Sequence, residues 1–349
     1  MSATPALRRR AGTAAPIGHR RAVRPLIVGL AVTAAIVLVA VLGLMLGDFT
    51  LTPGEVFAAL TGHGSRAADL VVVDWRLPRV LLAALTGCAF GISGAIFQSI
   101  SRNALGSPDI IGFTSGAASG ALVQILVVGA SGAAVSGGAI AGGFVTAAIV
   151  YGLSFKGGVQ GYRLVLVGIG VSAVLMSLNS YLILRAQVDQ AQGAAIWITG
   201  TLNGRGWPED IAVGICLALL MPMALKLNPS LALMEMGDDT AKALGVSVER
   251  DRMLLMVVGV GLTAVATAAV GPIAFVALAS PHLARMLCRS HRPGPVTAGL
   301  MGALLMMVAD FAAQRLFAPT QLPTGVLTSA IGGAYLAWLL TRQWRAGRG

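Results

Sequence analysis

Leu231–Arg252 reads LALMEMGDDTAKALGVSVERDR, eight charged residues in 22, inside a chain of 349 residues that is only 11% charged. Uncharged apolar stretches flank it, Ile211–Leu225 before and Met253–Ala284 after. A polar segment tethered between two such stretches sits in water while its neighbours sit in hydrocarbon, so the chain is read as membrane-spanning from this point outward. Within the segment, Gly237-Asp238-Asp239-Thr240 reads as a helix start with carboxylates near the positive end of the helix dipole, and Gly245 reads as its stop. The predicted short helix runs through Ala243 and carries Leu244 and Val246 as an apolar tip, a handle for a soluble partner.

The rest of the chain fits this reading. Mean hydropathy is +0.81 and 56% of residues are hydrophobic, values of a polytopic membrane protein. Pro25–Gly47, Val80–Ser101 and Leu164–Leu184 each supply the roughly 20 apolar residues that cross a hydrocarbon core of about 30 Å. Ile110–Phe155 is uncharged for 46 residues and has a glycine-rich break around Gly129–Gly138, which makes two spans. Met253–Ala284 has Gly271-Pro272 in its middle, and its 32 residues fall short of two full crossings, so one of its helices is expected to be short or broken. Ile211–Leu225, Pro293–Ala309 and Leu316–Thr341 bring the expectation to ten transmembrane helices, an all-α fold. Residues 1–25 are Arg-, Ala- and Pro-rich and are expected to be a disordered tail; residues 26–342 form the membrane domain, and 343–349 a second tail. A secretory signal competes for the N-terminus, but no small-residue cleavage site precedes Asp48, which favours a retained span.

A net charge of +11 would point to nucleic acid in a soluble protein, yet its distribution excludes that reading. With ten spans and a cytoplasmic N-terminus, 19 of the 25 Lys and Arg residues fall inside and six outside, as the positive-inside rule requires. Both termini are then cytoplasmic, and the polar segment 231–252 with them. The 45 glycines often recur every four residues, as in Gly87 with Gly91, Gly112–Gly116–Gly120 and Gly138 with Gly142. Such ridges let helices approach closely in lipid, either as fixed packing or as surfaces that slide. Cys88, Cys216 and Cys288 lack disulfide or metal spacing and read as packing residues, and His282 reads likewise. No phosphate-binding G-x-x-x-x-G-K-[ST] loop, H-E-x-x-H pair or G-x-S-x-G elbow occurs, so no catalytic residue, metal ligand or bound cofactor is expected. Intramembrane polar groups are functional candidates by default. Asp310 has Arg315 about one turn further on, and either a local ion pair or a face turned to substrate or partner would account for it. Asn179, Gln98 and Gln314 are suited equally to lining a pathway and to bonding a neighbouring helix.

Ordered blocks then identify a resemblance. Trp75-Arg76-Leu77-Pro78-Arg79, Gly91-Ile92-Ser93-Gly94-Ala95 with Gln98, Arg102-Asn103-Ala104-Leu105 and Gly106-Ser107-Pro108-Asp109 follow one another in one segment. Gly271-Pro272-Ile273-Ala274-Phe275, Ser280-Pro281-His282 and Leu322-Pro323 followed by Gly325 come later in the same order. From about Asp48 to Arg342 the chain resembles the iron-siderophore and vitamin B12 permease family of ABC importers, and within it the ferric-enterobactin-type subunits. The resemblance implies the type II, B12-importer-like permease fold in a bacterial cytoplasmic membrane, paired with a second permease subunit. It further implies ATPase subunits that spend the ATP and an extracytoplasmic siderophore-binding protein. By resemblance, Arg76 and Arg79 dock the binding protein, Gly237–Gly245 form the ATPase coupling helix, and Asn103 and Leu105 with Gly161 and Tyr162 form the cytoplasmic gate.

Four departures stand out against the family pattern. Ala104 replaces the proline of the gate turn, which should loosen it, and Tyr162 is larger than the small hydroxylated residues usual there. Gln321 replaces a glutamate before Leu322-Pro323, and Gly332-Gly333-Ala334 replaces G-A-P. A missing external charge fits one half of a heterodimer, with a homodimer as the other possibility. A cobalamin or haem importer would use the same scaffold. An ion-coupled secondary transporter would need mid-membrane carboxylates and internal repeats, and only Asp310 is available.

Overall fold

The computed structural model describes residues 18–156, 158, 160–290 and 294–346, which form helices and turns with no β-sheet among them. Helix α1 (Gly18–Met45) leads to the short α2 (Pro53–Leu60), started by a capping box in which Thr52 N–H donates to Glu55 Oε2 at 2.8 Å. One helical body then runs unbroken from Arg66 to Ser101: α3 (Arg66–Asp69), a π-helical stretch Leu70–Arg76, and α4 (Leu77–Ser101). The π turn ends just ahead of Pro78, where the helical ladder lacks a donor. α5 (Phe113–Leu122) likewise continues as a π stretch, Val123–Val128. Then follow α6 (Ala133–Ser154), α7 (Gly161–Arg185), α8 (Val188–Ile198), α9 (Trp207–Glu235) and α10 (Asp238–Ala243). The chain ends with α11 (Val248–Val270), α12 (Val276–Cys288), α13 (Pro295–Arg315) and α14 (Thr324–Ala346).

Seven of these helices are long and apolar enough to cross a membrane. Three further helical segments, Phe113–Val128, Val276–Cys288 and Thr324–Ala346, stand where the remaining three spans were expected. The break in Met253–Ala284 falls at Gly271–Phe275, and α12 is the short helix, its 13 residues reaching about 20 Å. The other bounds differ from expectation in instructive ways. The first helix begins at Gly18, not after residue 25, because Arg20, Arg21 and Arg24 are good helix formers and Arg24 Nε donates to the Leu287 carbonyl at 2.9 Å. Residues 1–17, the rest of the expected N-terminal tail, lie outside the described residues. The last helix reaches Ala346, into the expected C-terminal tail, and its start moves from Leu316 to Thr324. The second span begins at Arg66, well before Val80, so Arg76 and Arg79 lie within a continuous helix.

The core is organised around α4, which packs on α9, α11, α12 and α13. Within the apolar windows, 72% of the α4 body and 78% of α11 are buried, against 11% of α7 and 6% of α1, so α7 and α1 are peripheral. The glycine ridges make the contacts. A Cβ on Gly87 or Gly91 would overlap the Gly302 or Ala298 carbonyl of α13, and one on Gly94 the Ala277 carbonyl of α12. Gly116 and Gly120 of α5 meet Gly142 and Gly138 of α6 in the same manner. The ridges thus bring these helix backbones into direct contact. Buried hydroxyls add short bonds to a further neighbour, as where Ser93 Oγ of α4 donates to the Gly259 carbonyl of α11 at 2.8 Å.

Gly94→Val should consequently lower the thermal midpoint of the detergent-purified protein, with overpacking of about 1–3 kcal/mol as a floor because the obstacle is backbone. Gly214→Ala, on α9 with nothing within 4 Å, should leave the midpoint unchanged. Equal melting of the two variants would show that the carbonyl–glycine contacts do not govern stability.

Candidate functional site

Chemistry-bearing side chains gather at the two ends of α4. At its start, the Arg79 guanidinium grips Asp310 of α13 bidentately, Nε to Oδ2 and Nη2 to Oδ1 at 3.0 Å each, and Nη1 donates to Gln321 Oε1 at 3.1 Å. Asp310 also accepts from Gln314 Nε2 and from Thr324 Oγ1, both at 2.8 Å, so one carboxylate ties α4, α13 and the start of α14. Side-chain exposure is 12% for Arg79 and 4% for Asp310, a burial at which removing one partner costs about 3–5 kcal/mol. The local pairing of Asp310 with Arg315 does not form. Five residues along a helix turn a side chain to another face, and the Arg315 guanidinium instead caps the Leu46 carbonyl just past α1. Arg76 caps the same helix end, donating to the Leu44 carbonyl at 2.7 Å and the Phe49 carbonyl at 2.5 Å.

Beside these groups lies a cavity of about 390 Å³. Its rim carries four guanidinium groups, Arg76, Arg79, Arg205 and Arg315, and two carboxylates, Asp48 and Asp74. Arg205, on the turn before α9, was not singled out from the sequence; burial lowers its pKa and its Nε has no hydrogen-bond partner. The rim therefore carries more positive than negative charge.

The other end of α4 stops at Ser101, and Arg102 takes a left-handed conformation, φ 49°. In the turn that follows, Asn103 Oδ1 accepts the Leu105 N–H at 2.9 Å and the Asn103 carbonyl accepts the Gly106 N–H at 2.9 Å. The asparagine side chain closes the turn where Ala104 supplies no proline ring, so the turn is held, not loose. Gly161, the first residue of α7, sits directly on Ser101: a Cβ there would lie 2.5 Å from its carbonyl oxygen. The structure thus brings Asn103, Leu105 and Gly161 together, with Leu105 and Tyr162 exposed. Asn179 lies deeper in α7, buried, and accepts a hydrogen bond from Ser119 Oγ of α5 at 2.7 Å.

The polar interruption adjoins this end. Leu231–Glu235 extend α9, and Val248–Arg252 begin α11, leaving 236–247 as the true loop. Gly237 and Gly245 both have positive φ, 121° and 85°, on either side of α10. Val246 N–H donates to the Ala241 carbonyl and Gly245 N–H to that of Lys242, a Schellman stop that folds Val246 back against the core. The apolar tip is therefore Leu244 with Met236, both exposed, and not Leu244 with Val246. Asp239, Thr240 and Ala243 share that exposed side, whereas Gly237 and Asp238 turn toward the body. Asp238 accepts from Arg252 Nη2 at 2.8 Å and also pairs with Arg102. Arg102 had entered only as the head of the Arg102-Asn103-Ala104-Leu105 block, and Arg252 only as a charge.

Between the ends, an open cleft of about 540 Å³ runs past α5, α7 and α14 to the Gly271–Phe275 break. Hydroxyls line it, among them Thr114, Ser115, Ser172, Thr199 and Ser329. Asp109 Oδ2 accepts the Phe275 N–H at 3.3 Å and holds the break in place.

Comparisons with known proteins follow this geometry. The chain is 47% identical, over 322 residues, to the ferric enterobactin transport system permease protein FepG of Escherichia coli (strain K12), covering 92% of this chain and 98% of that protein. It is 38% identical to the achromobactin transport system permease protein CbrC of Dickeya dadantii (strain 3937), over 88% of each. Among solved structures it resembles one described as an inward-facing conformation of a metal-chelate type ABC transporter, with TM-score 0.82 and 29% identity over 91% of this chain and 99% of that one. The profile of the FecCD transport family matches residues 22–342. Matched along nearly its whole length by that profile and by these relatives, the chain belongs to the FecCD transport family.

Proposed function

We propose that this chain is the permease subunit of an ABC importer that carries a ferric siderophore of the enterobactin type across the bacterial cytoplasmic membrane by alternating access. The observation that carries the substrate is 47% identity, end to end, with a ferric enterobactin permease. Separate ATPase subunits hydrolyse ATP, and they take hold of the exposed side of α10, whose Leu244 and Met236 offer apolar contacts at the rim of a polar loop. Positive-inside counting supports a cytoplasmic position for that loop and for both termini.

At the far end, a soluble binding protein presents carboxylates to the arginine-rimmed cavity. Arg79 is already committed to Asp310 and Gln321, so its share is to hold the rim, leaving Arg76, Arg205 and Arg315 nearest to an incoming acid. The cargo passes along the hydroxyl-lined cleft, where neutral groups bind weakly enough to release a large chelate. A second permease, a different chain, closes the other wall of the cleft. The exposed apolar residues of α7, among them Leu166, Ile169, Val174 and Met176, support a surface that a partner and lipid share.

A deletion strain complemented with this chain should take up labelled ferric enterobactin, and neither labelled cobalamin nor haem; a cobalamin-only result would overturn the substrate. Replacing Leu244 with Asp should cut co-purification of the ATPase subunits and abolish uptake, since a buried unpaired carboxylate opposes docking by several kcal/mol. Undiminished uptake by that variant would remove α10 from the ATPase interface. Purification of an active complex holding this chain as its only permease would exclude the heterodimer.

A further inference from the structure

We propose that Arg102 and Asp238 form a clamp that makes the loop helix α10 and the Asn103–Leu105 turn move as one body, so that Arg102 is a positioning residue for transport. The inference rests on the importer reading above and adds the part that links its two moving pieces.

Four observations meet at this pair. Arg102 is the residue from which the turn hangs, immediately after α4 and immediately before Asn103. Its side chain straddles a hinge: Nε donates to the Met234 carbonyl at 3.1 Å on one side of Gly237, and Nη2 pairs with Asp238 on the other. Gly237, with φ 121°, is the free joint of the loop, and the guanidinium bridges it, so a displacement of α10 is not lost there. Second, Asp238 is the first residue of α10 and shares its carboxylate between two arginines, Oδ1 with Arg102 and Oδ2 with Arg252 at 2.8 Å.

Third, Arg252 is anchored: its side chain is 4% exposed and its Nη1 donates to Glu249 Oε1 at 2.9 Å, which fastens Asp238 to the first turns of α11. Fourth, Arg102 is held at φ 49°, a conformation non-glycine residues keep only where their surroundings impose it. The Schellman stop of α4 imposes it, with Asn103 N–H donating to the Gln98 carbonyl and Arg102 N–H to that of Ser99, and from this fixed position the guanidinium reaches Met234 and Asp238. A second thread runs parallel, with Gln98 of α4 accepting from Arg285 Nη2 at 2.8 Å and donating to the Leu278 carbonyl at 3.0 Å. That thread ties α4 to α12 and does not touch α10. Among the described residues, the Arg102–Asp238 pair is the ion pair that links the loop helix to the turn.

A pair with Arg102 at 45% exposure adds little to stability, which separates a positioning role from a structural one. The test uses the full complex with its ATPase subunits in proteoliposomes, measuring ATPase retention, ATP hydrolysis and uptake of labelled ferric enterobactin. Arg102→Gln should retain the ATPase subunits and hydrolyse ATP within about twofold of the unmodified complex, while uptake per ATP falls about tenfold. Arg102→Lys, which keeps the charge but loses the bridge to Met234, should recover part of that ratio. Combining Arg102→Gln with Asp238→Asn should lower uptake no further than Asp238→Asn alone. An unchanged uptake-to-ATP ratio in Arg102→Gln, or losses that multiply in the double variant, would overturn the clamp and leave the importer reading standing. Should Asp238→Asn fail to accumulate, Arg102→Gln against Arg102→Lys still decides. An unmodified complex that retains no ATPase subunit would overturn the importer reading itself.

Discussion

The backbone of α4 lies so close to α12 and α13 that no side chain can stand at Gly87, Gly91 or Gly94. In lipid no hydrophobic force gathers helices, because the surrounding tails are as apolar as leucine, so association depends on contact between backbones and on short polar bonds. The glycines provide the first, and Ser93, bonded to Gly259 and Thr263 of α11, provides the second. Everything else about the protein is placed by this rod. Its start carries Arg79 to Asp310, and its end delivers Arg102 to Asp238, so the two polar ends are held at a fixed separation.

The charges are as constrained as the glycines. A guanidinium or carboxylate within a membrane helix persists where it is paired or reaches water. Asp310 meets this condition with four bonds, three from the distant Arg79 and Thr324 and one from Gln314 a turn along its own helix, and Arg79 with three donors used. Such a carboxylate is a structural pin, occupied on both oxygens, and it offers no site for a coupling ion. That weighs against an ion-coupled transporter more strongly than composition did. At the other end Asp238 plays the same pairing role in a wetter setting, one third exposed beside a buried arginine.

Much of this was legible before any coordinates. Helix number and order followed from hydropathy, and the shortness of α12 from arithmetic on Gly271-Pro272, since 32 residues cannot make two crossings. Glycine spacing foretold which faces touch, though not their partners: Gly94 meets Ala277, 183 positions away, and no local pattern encodes that. Helix ends were misjudged where charge was read as an end. Arg76 and Arg79 lie inside a helix because their charges are answered by the α1 terminus and by Asp310, which are distant in sequence. Val246 turned inward through a Schellman bond pattern that Gly245 alone hinted at. The Arg102–Asp238–Arg252 cluster joins three segments, and single residues in a basic chain give no sign of it.

The residues of the expected gate come from two helices buried to different extents. Asn103 and Leu105 hang from α4, whose backbone is locked on three neighbours, while Gly161 and Tyr162 begin α7, a helix largely unburied by this chain. Gly161 rests on the Ser101 backbone and Gly168 on that of Ile111, and Leu164 and Val165 are buried in the core, without an ion pair across the seam among the described residues. The seam differs from the α4–α13 interface, where Gly87, Gly91 and Gly302 each meet a facing carbonyl. The ion pairs lie on the α4 side of that seam, where they keep the turn and the loop helix together whichever way α7 goes.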